Sequence, residues 1–471
     1  MGADGVVDEV TSASPRAARL RVSTARLLVV AAVICYVIAF NLTYRDFVSP
    51  IFQFWGLGYR PIPAPYFWTT CLLCVLPSTW MPVSLTRPSL LLFYLQYFLI
   101  FVPAAFVTFH SIRPYVHPDN AMSIVWMMFA GLSIIEVIYV LPVRPIRFLR
   151  VTPSAFWTVF AALGSVMLGY IAITLRGTFR LANFTDIYSI RFAMADIISA
   201  TGSRFGLYAQ FLLLSFFFPM TFAVGAFSRQ WSMIALAAAG YVFLFGVGGA
   251  KAAVLATVYL PLIYLMVKPR RRVALRFAGS TTAALLSAYV TTALLSESMN
   301  AEFLGVLHFR SFTVPALTIA QYAGFFQIHP VTHLASVTGF SWLIQSPYDS
   351  DIPYMLGRYY YSASIGLNSG MWAGDGIVGF GLWGIPLISV VCSVVFWILD
   401  SIAADMDPAF VAVVVAYCGL SFTNISLFTT LISGGLGFTM ATLLVAPRDA
   451  VGRIALPVWP RLQRMSLAPT R

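Results

Sequence analysis

The chain is written in long apolar runs separated by short polar joints. Runs near 26–43, 65–84, 89–109, 121–142, 155–175, 205–227, 231–249, 252–267, 277–296, 379–399, 409–425 and 428–446 each approach the ~20 residues that carry an α-helix across a bilayer. Two apolar stretches are too long for one crossing and split at Gly248 and Gly249 and at Asn424 to Leu427. The runs do not alternate with period 2, as the strands of a membrane barrel would. In lipid an unpaired backbone amide costs several kcal/mol, so each run must close its hydrogen bonds internally, as a helix does. The pattern predicts an all-α, polytopic transmembrane bundle of about 12 spans.

The polar segments divide this bundle. Residues 1–24 form a tail expected to be cytoplasmic, with no small-residue cleavage site after the first run, so the first helix is expected to be retained. Residues 25–296 hold helices one to nine and an arginine-rich external loop, 176–204. Residues 297–378 read as one large, partly helical external loop, 379–446 as the last three helices, and 447–471 as a second cytoplasmic tail. A loop of that size is usually functional or a small domain.

Composition agrees with a membrane protein. Of the 471 residues 59% are hydrophobic and 10% charged, with a mean hydropathy of +0.84. A soluble domain carries about a quarter charged residues, so this chain would have nothing to coat a wet surface with. The net charge of +12 suggests nucleic acid, but the basic residues sit at the ends of apolar runs, as membrane anchors do, so no nucleic-acid partner is expected. The densest clusters, Arg144 to Arg150 and Lys268 to Arg276, fall on the inside together with the arginines of both tails. This arrangement places both termini in the cytoplasm. Cys71 and Cys74 spell C-x-x-C inside a span, where small packing residues are expected and a redox pair is not.

The cations left outside are the anomaly that points to chemistry. Arg176, Arg180, Arg191 and Arg204 crowd the first long loop, Lys251 sits at an external hairpin, and Arg310 and Arg358 lie in the second loop. Solvated loop charges, paired with Asp186, Asp196, Asp349 and Asp351, are one reading. The other is an anion site, because guanidinium forks hold phosphate oxygens bidentately.

The segment Asn368-Ser-Gly-Met-Trp-Ala-Gly-Asp-Gly-Ile-Val-Gly-Phe-Gly-Leu-Trp-Gly384 resembles the signature of Wzy-type O-antigen and oligosaccharide repeat-unit polymerases. Arg310-Ser-Phe-Thr-Val-Pro-Ala, with Tyr322 and Phe325-Phe326, is similar to the opening of that family's large loop. Gly246-Val-Gly-Gly-Ala-Lys251 resembles its short glycine-plus-basic turn. An Arg followed after ten to fifteen residues by a Gly also occurs in each external loop, as Arg191 to Gly202 and Arg310 to Gly324. The resemblance covers most of the chain as architecture, but as residues only roughly 240–255 and 305–384.

The resemblance implies a metal-independent glycosyl transfer, without cofactor, on the outer face of a bacterial inner membrane. Donor and acceptor would be undecaprenyl-pyrophosphate-linked glycans embedded among membrane lipid, and a chain-length regulator protein would be a further partner. Arg176, Arg180, Arg191, Arg204, Lys251, Arg310 and Arg358 would hold the pyrophosphate. The candidate bases are His329, His333, Asp349, Asp351 and Glu302, with Asp46 a rival in the first external loop. An O-antigen-ligase-like transferase and a transporter or flippase for the same lipid-linked sugars are the alternatives. A transporter predicts internal repeats and charged residues along the spans, where Glu136 is the clear exception to a nearly charge-free pattern. Glu136 itself is expected to reach Arg144 or Arg147. His329 and His333 have helical i,i+4 spacing, but Pro330 and the lack of a third ligand argue against a metal site.

Overall fold

The computed structural model describes residues 15–113, 116–175, 179, 205–249, 251–337, 342–361, 365–368 and 371–457. The described residues are helical, with one isolated bridge (Arg448 to Ile454) and no strand. Ten helical runs among them are long and apolar enough to cross a membrane. In chain order the elements are α1 (Thr24–Trp55), α2 (Ala64–Val75, prolonged by a 3-10 turn Leu76–Thr79), α3 (Ser89–His110), α4 (Pro118–Val137), α5 (Pro153–Thr174), α6 (Phe205–Ser228), α7 (Trp231–Gly248), α8 (Lys251–Val267) and α9 (Val273–Leu294). There follow α10 (Glu297–Phe326), α11 (Ile352–Tyr360), α12 (Met371–Phe380), α13 (Gly384–Ile402), α14 (Pro408–Val414), α15 (Ala416–Phe422), α16 (Leu427–Ile432) and α17 (Leu436–Val445).

One end of the bundle gathers the arginine-bearing joints. Asp405 and Asp407, in the α13–α14 joint, draw in cations from three distant segments: Arg150 and Arg448 pair with Asp405, while Arg270 (2.7 Å) and Arg453 (3.7 Å) pair with Asp407. Asp407 also caps α14, accepting from the backbone N–H groups of Ala409 (2.8 Å) and Phe410 (3.3 Å). Such a cap satisfies donors that a helix start leaves orphaned. Arg87 donates to the carbonyls of Ile138 (2.8 Å) and Leu141 (2.5 Å), and Arg453 to that of Phe227 (3.2 Å). Burial, with Arg150 beside it, brings the Arg448 guanidinium down to about 10, so it is still a cation at neutral pH. Arg150, Arg270, Arg448 and Arg453, drawn from the three clusters expected together on one side, thus meet at one end.

The remaining joints lie at the other end. Ile112 donates to the Gly56 carbonyl, the Tyr44 hydroxyl to that of Gly58, and the rings of Tyr170 and Phe205 meet at 4.9 Å where α5 ends and α6 begins. The helices therefore pass alternately between two ends. Two of these passes, α2 and the α14–α15 pair, do not form a long unbroken helix, and α8 has only 17 residues. That explains why the described runs that meet the length criterion are fewer than the sequence pattern suggests.

Two features of the 297–378 segment differ from an external loop. The first is α10, thirty residues that reach as far as a span. Its Phe309 ring lies 5.8 Å from that of Trp55, and twelve residues further Gln321 donates to the Tyr361 hydroxyl, which donates to the Trp55 carbonyl (2.6 Å). Twelve residues rise about 18 Å, so α10 lies across the end of α1 instead of continuing alongside it. Glu297, Glu302, His308 and Arg310 dilute its apolar pattern, which is why it reads as a loop in sequence.

The second is a tight hairpin of α12 on α13. Gly376 and Gly384 are eight residues apart, about 12 Å in a straight helix. Here their backbones touch, such that a Cβ on Gly384 would fall 1.9 Å from the Gly376 carbonyl oxygen. Gly381, at φ +68°, makes the reversal, a conformation that costs glycine little. Trp372, near the start of α12, is fully buried, and α12 runs back along α13 from there.

Candidate functional site

A cavity of about 980 Å³ opens among α6, α8, α10 and the link between α15 and α16. Its polar lining includes Gln210, Lys251, Glu302, Arg310, Ser311, Asn368, Ser421, Thr423 and Asn424. Its apolar lining includes Leu207, Phe211, Leu255, Leu295, Met299, Phe303 and Phe309. Phe211, Leu255 and Met299 are exposed at its rim, so the apolar side is continuous with the outer surface of the bundle.

Each polar group is placed by a local device. Lys251 opens α8 directly after the Gly248-Gly249 turn, where Gly249 (φ +60°) caps α7 by donating to the Phe245 carbonyl at 2.8 Å. A Cβ on Gly248 would meet the Gln210 amide at 2.4 Å, so the absence of a side chain there admits Gln210. Arg310 and Ser311 belong to a π-helical stretch, Gly305–Thr313, inside α10. Wide π turns are frequent at functional sites, since they rotate side chains out of α register. The exposed Arg310 guanidinium lies 5.4 Å from the Phe309 ring, which stacks in turn on Phe52 at 4.5 Å. Glu302 is eight residues earlier, about 12 Å along the same helix. Neither Glu302 nor Arg310 forms an ion pair with another described residue.

Asn368 reaches the cavity from a rigid strip, 365–368. Leu367 donates to the Pro353 carbonyl (2.9 Å), and its own carbonyl accepts from the buried Tyr322 hydroxyl (3.0 Å). On α11, Gly357 packs so closely that a Cβ would fall 1.5 Å from the Ile365 carbonyl oxygen.

No family model, curated protein or solved structure matches the chain. The site therefore has to be argued from its own chemistry.

Of the cations singled out in sequence, Lys251 and Arg310 share the cavity. Arg358 is exposed on α11 and is not part of its lining. Arg176, Arg180, Arg191 and Arg204 lie outside the described residues. Of the candidate bases Glu302 alone lines the cavity. His329 stacks on Phe325 (4.0 Å between ring centres, 21°), with Tyr359 edge-on, as a packed aromatic. His333 (φ +48°) uses its backbone N–H to cap the end of α12 at the Gly379 carbonyl (3.1 Å). Asp351 precedes α11, accepting through its backbone carbonyl from Tyr354 and Met355, and Asp349 is exposed. Asp46 is engaged by Arg45 (2.7 Å) and the Tyr289 hydroxyl (2.6 Å). Glu136 accepts from the Trp80 indole and feels the charge of Arg26, and among the described residues it forms no ion pair with Arg144 or Arg147.

Gln210, Asn424 and Asp375 are the polar residues that sequence reasoning passed over. Asn424 was visible as the break in the last apolar stretch, and Asp375 as the acid inside the 368–384 segment. Gln210 carries no local signal, since one amide in an apolar helix is commonplace.

Proposed function

We propose that this protein is a membrane glycosyltransferase that polymerises lipid-linked oligosaccharide repeat units carried on undecaprenyl pyrophosphate, at the outer face of a bacterial inner membrane. The observation that carries the reading is the convergence of Lys251, Glu302, Arg310 and Asn368, drawn from three separated stretches of sequence, on one cavity. The cavity lies away from the arginine-rich end, which the positive-inside rule assigns to the cytoplasm.

The chemistry follows from the lining. Lys251 and Arg310 bind the pyrophosphate of the donor, and the exposed apolar rim receives its polyprenyl chain. The hydroxyl oxygen of the acceptor sugar attacks the anomeric carbon of the donor glycan. The new glycosidic bond forms as the bond to pyrophosphate breaks, and the electron pair leaves with the pyrophosphate. Glu302 takes the hydroxyl proton, and the two cations stabilise the charge that builds on the leaving group. Asn368 and Asn424 supply neutral hydrogen bonds suited to orienting sugar hydroxyls. A chain-length regulator would act on this reaction from outside the cavity.

The test is a strain lacking the protein, with its lipid-linked glycans separated by size. Single exported repeat units are expected to accumulate, and the intact chain to restore polymer. Full-length polymer left on its lipid carrier would instead indicate a ligase. Single units trapped on the cytoplasmic face would indicate a transporter.

A further inference from the structure

Asp375 sits on α12, in the reversed hairpin, with only 7% of its surface exposed. A carboxylate buried in an apolar bundle is costly unless its oxygens are hydrogen-bonded. Its partner is not on its own helix. The backbone N–H of Leu427 donates to it at 2.7 Å. Leu427 is the first residue of α16, so Asp375 satisfies one of the donors that a helix start leaves unpaired. The Ser426 hydroxyl oxygen accepts from Phe428 at 3.2 Å, which shares the capping between the two side chains.

These contacts join two separate parts of the cavity wall. Asn368 stands seven residues before Asp375, and Asn424 three residues before Leu427. The chain at 423–426 is a turn between short helices, with no long helix to hold it. Its backbone hydrogen bonds reach back one turn, from Thr423 to Leu420 and from Asn424 and Ile425 to Ser421. We infer that Asp375 is the positioning residue of the site, fixing Asn424 against the Asn368 strip so that both reach one substrate. It touches no reacting atom. The assignment of what the two asparagines bind rests on the polymerase reading; the clamp itself does not.

The experiment uses the full-length chain in nanodiscs, with Cys35 and Cys71 replaced by alanine and spin labels placed at Asn368→Cys and Asn424→Cys. Pulsed electron resonance then gives the distance distribution between them. Asp375→Ala is expected to broaden and lengthen that distribution, while a reference pair at the exposed Val166→Cys and Val258→Cys stays as it is. Asp375→Asn, which retains an oxygen acceptor for Leu427, is expected to keep the narrow distribution. Polymer formation by the unlabelled variants should fall at least tenfold in Asp375→Ala and stay within about threefold of the parent in Asp375→Asn. A 368–424 distribution unchanged in Asp375→Ala overturns the inference, as does a loss confined to kcat that Asp375→Asn fails to rescue. If the parent chain makes no polymer, the polymerase reading fails, and the distance measurement still decides the role of Asp375.

Discussion

The backbones of Gly376 and Gly384 are in direct contact, and this contact folds α12 back on α13 as a hairpin instead of a continuous span. A Cβ at either residue would overlap backbone atoms of the other, which cannot swing aside as a flexible side chain can. Gly384→Ala should therefore separate α12 from α13 and disturb the Asn368 strip. Polymer yield is expected to fall at least tenfold. Gly279→Ala, at a position with open space around it, should leave yield and expression unchanged. Parallel immunoblots of membrane fractions would separate lost function from lost protein, and normal activity in Gly384→Ala would refute the hairpin.

Among the described residues, the cations singled out in sequence divide into Lys251 and Arg310, which line the cavity, and Arg358, which does not. On the polymerase reading, Arg310→Ala removes a charged donor to the phosphate, an interaction worth about 1.5–3 kcal/mol, so kcat/KM should drop roughly 10- to 100-fold. Lys251→Ala should act in the same direction. Arg310→Lys should recover only part of the loss, because an ammonium cannot form the bidentate fork. Arg358→Ala is expected to stay within about twofold of the parent, since Arg358 is exposed on α11 outside the cavity. Equal losses in Arg310→Ala and Arg358→Ala would mean that a general electrostatic effect, not this cavity, holds the anion.

How far the sequence foretells this arrangement depends on the length scale of each signal. Helical passes are legible because lipid admits almost no other structure for runs of this length, and the side of each joint is legible because arginine marks it. The route of α10 is not, since four ionisable residues and a span-length apolar content point in opposite directions, and only the contacts of Phe309 and Gln321 decide between them. Lys251, Glu302 and Arg310 could be chosen by residue type alone. That His333 lies outside the cavity lining is not legible in sequence, because its backbone cap on α12 depends on a fold that no local spacing encodes. The same holds for Asp375, whose partner is fifty-two residues away.

Glu302 and the two histidines give opposite expectations. As general base, Glu302 contributes about 10²–10⁴ to the rate, so Glu302→Gln should lower kcat by that order while KM changes little. His329→Phe preserves the stack on Phe325 and should leave kcat within about twofold. His333→Asn is expected to do the same, since the backbone N–H makes the cap and asparagine tolerates the positive φ. Initial rates on purified lipid-linked repeat units would separate these variants. A dead His333→Asn beside an active Glu302→Gln would transfer the role of base to the histidine.

Stability at the arginine-rich end should hinge on Asp407. Its side chain is 4% exposed, pairs with Arg270 and Arg453, and caps α14. Arg270 and Arg453 are themselves 48% and 31% exposed, so water can reach the cations left behind and loss of the two pairs costs about 1 kcal/mol each at most. Asp407→Ala adds to this the loss of the cap, about 1 kcal/mol. Asp405→Ala should cost less, since the Asp405 side chain is 44% exposed, caps no helix, and leaves the buried Arg448 guanidinium its bonds to the Ile402 and Leu443 carbonyls. The ranking is checked by the temperature at which each variant, in detergent, loses its monodisperse elution peak. Asp407→Ala should melt well below both the parent and Asp405→Ala. An Asp405→Ala that melts first would mean that Arg150 and Arg448, not the α14 cap, hold the three joints together.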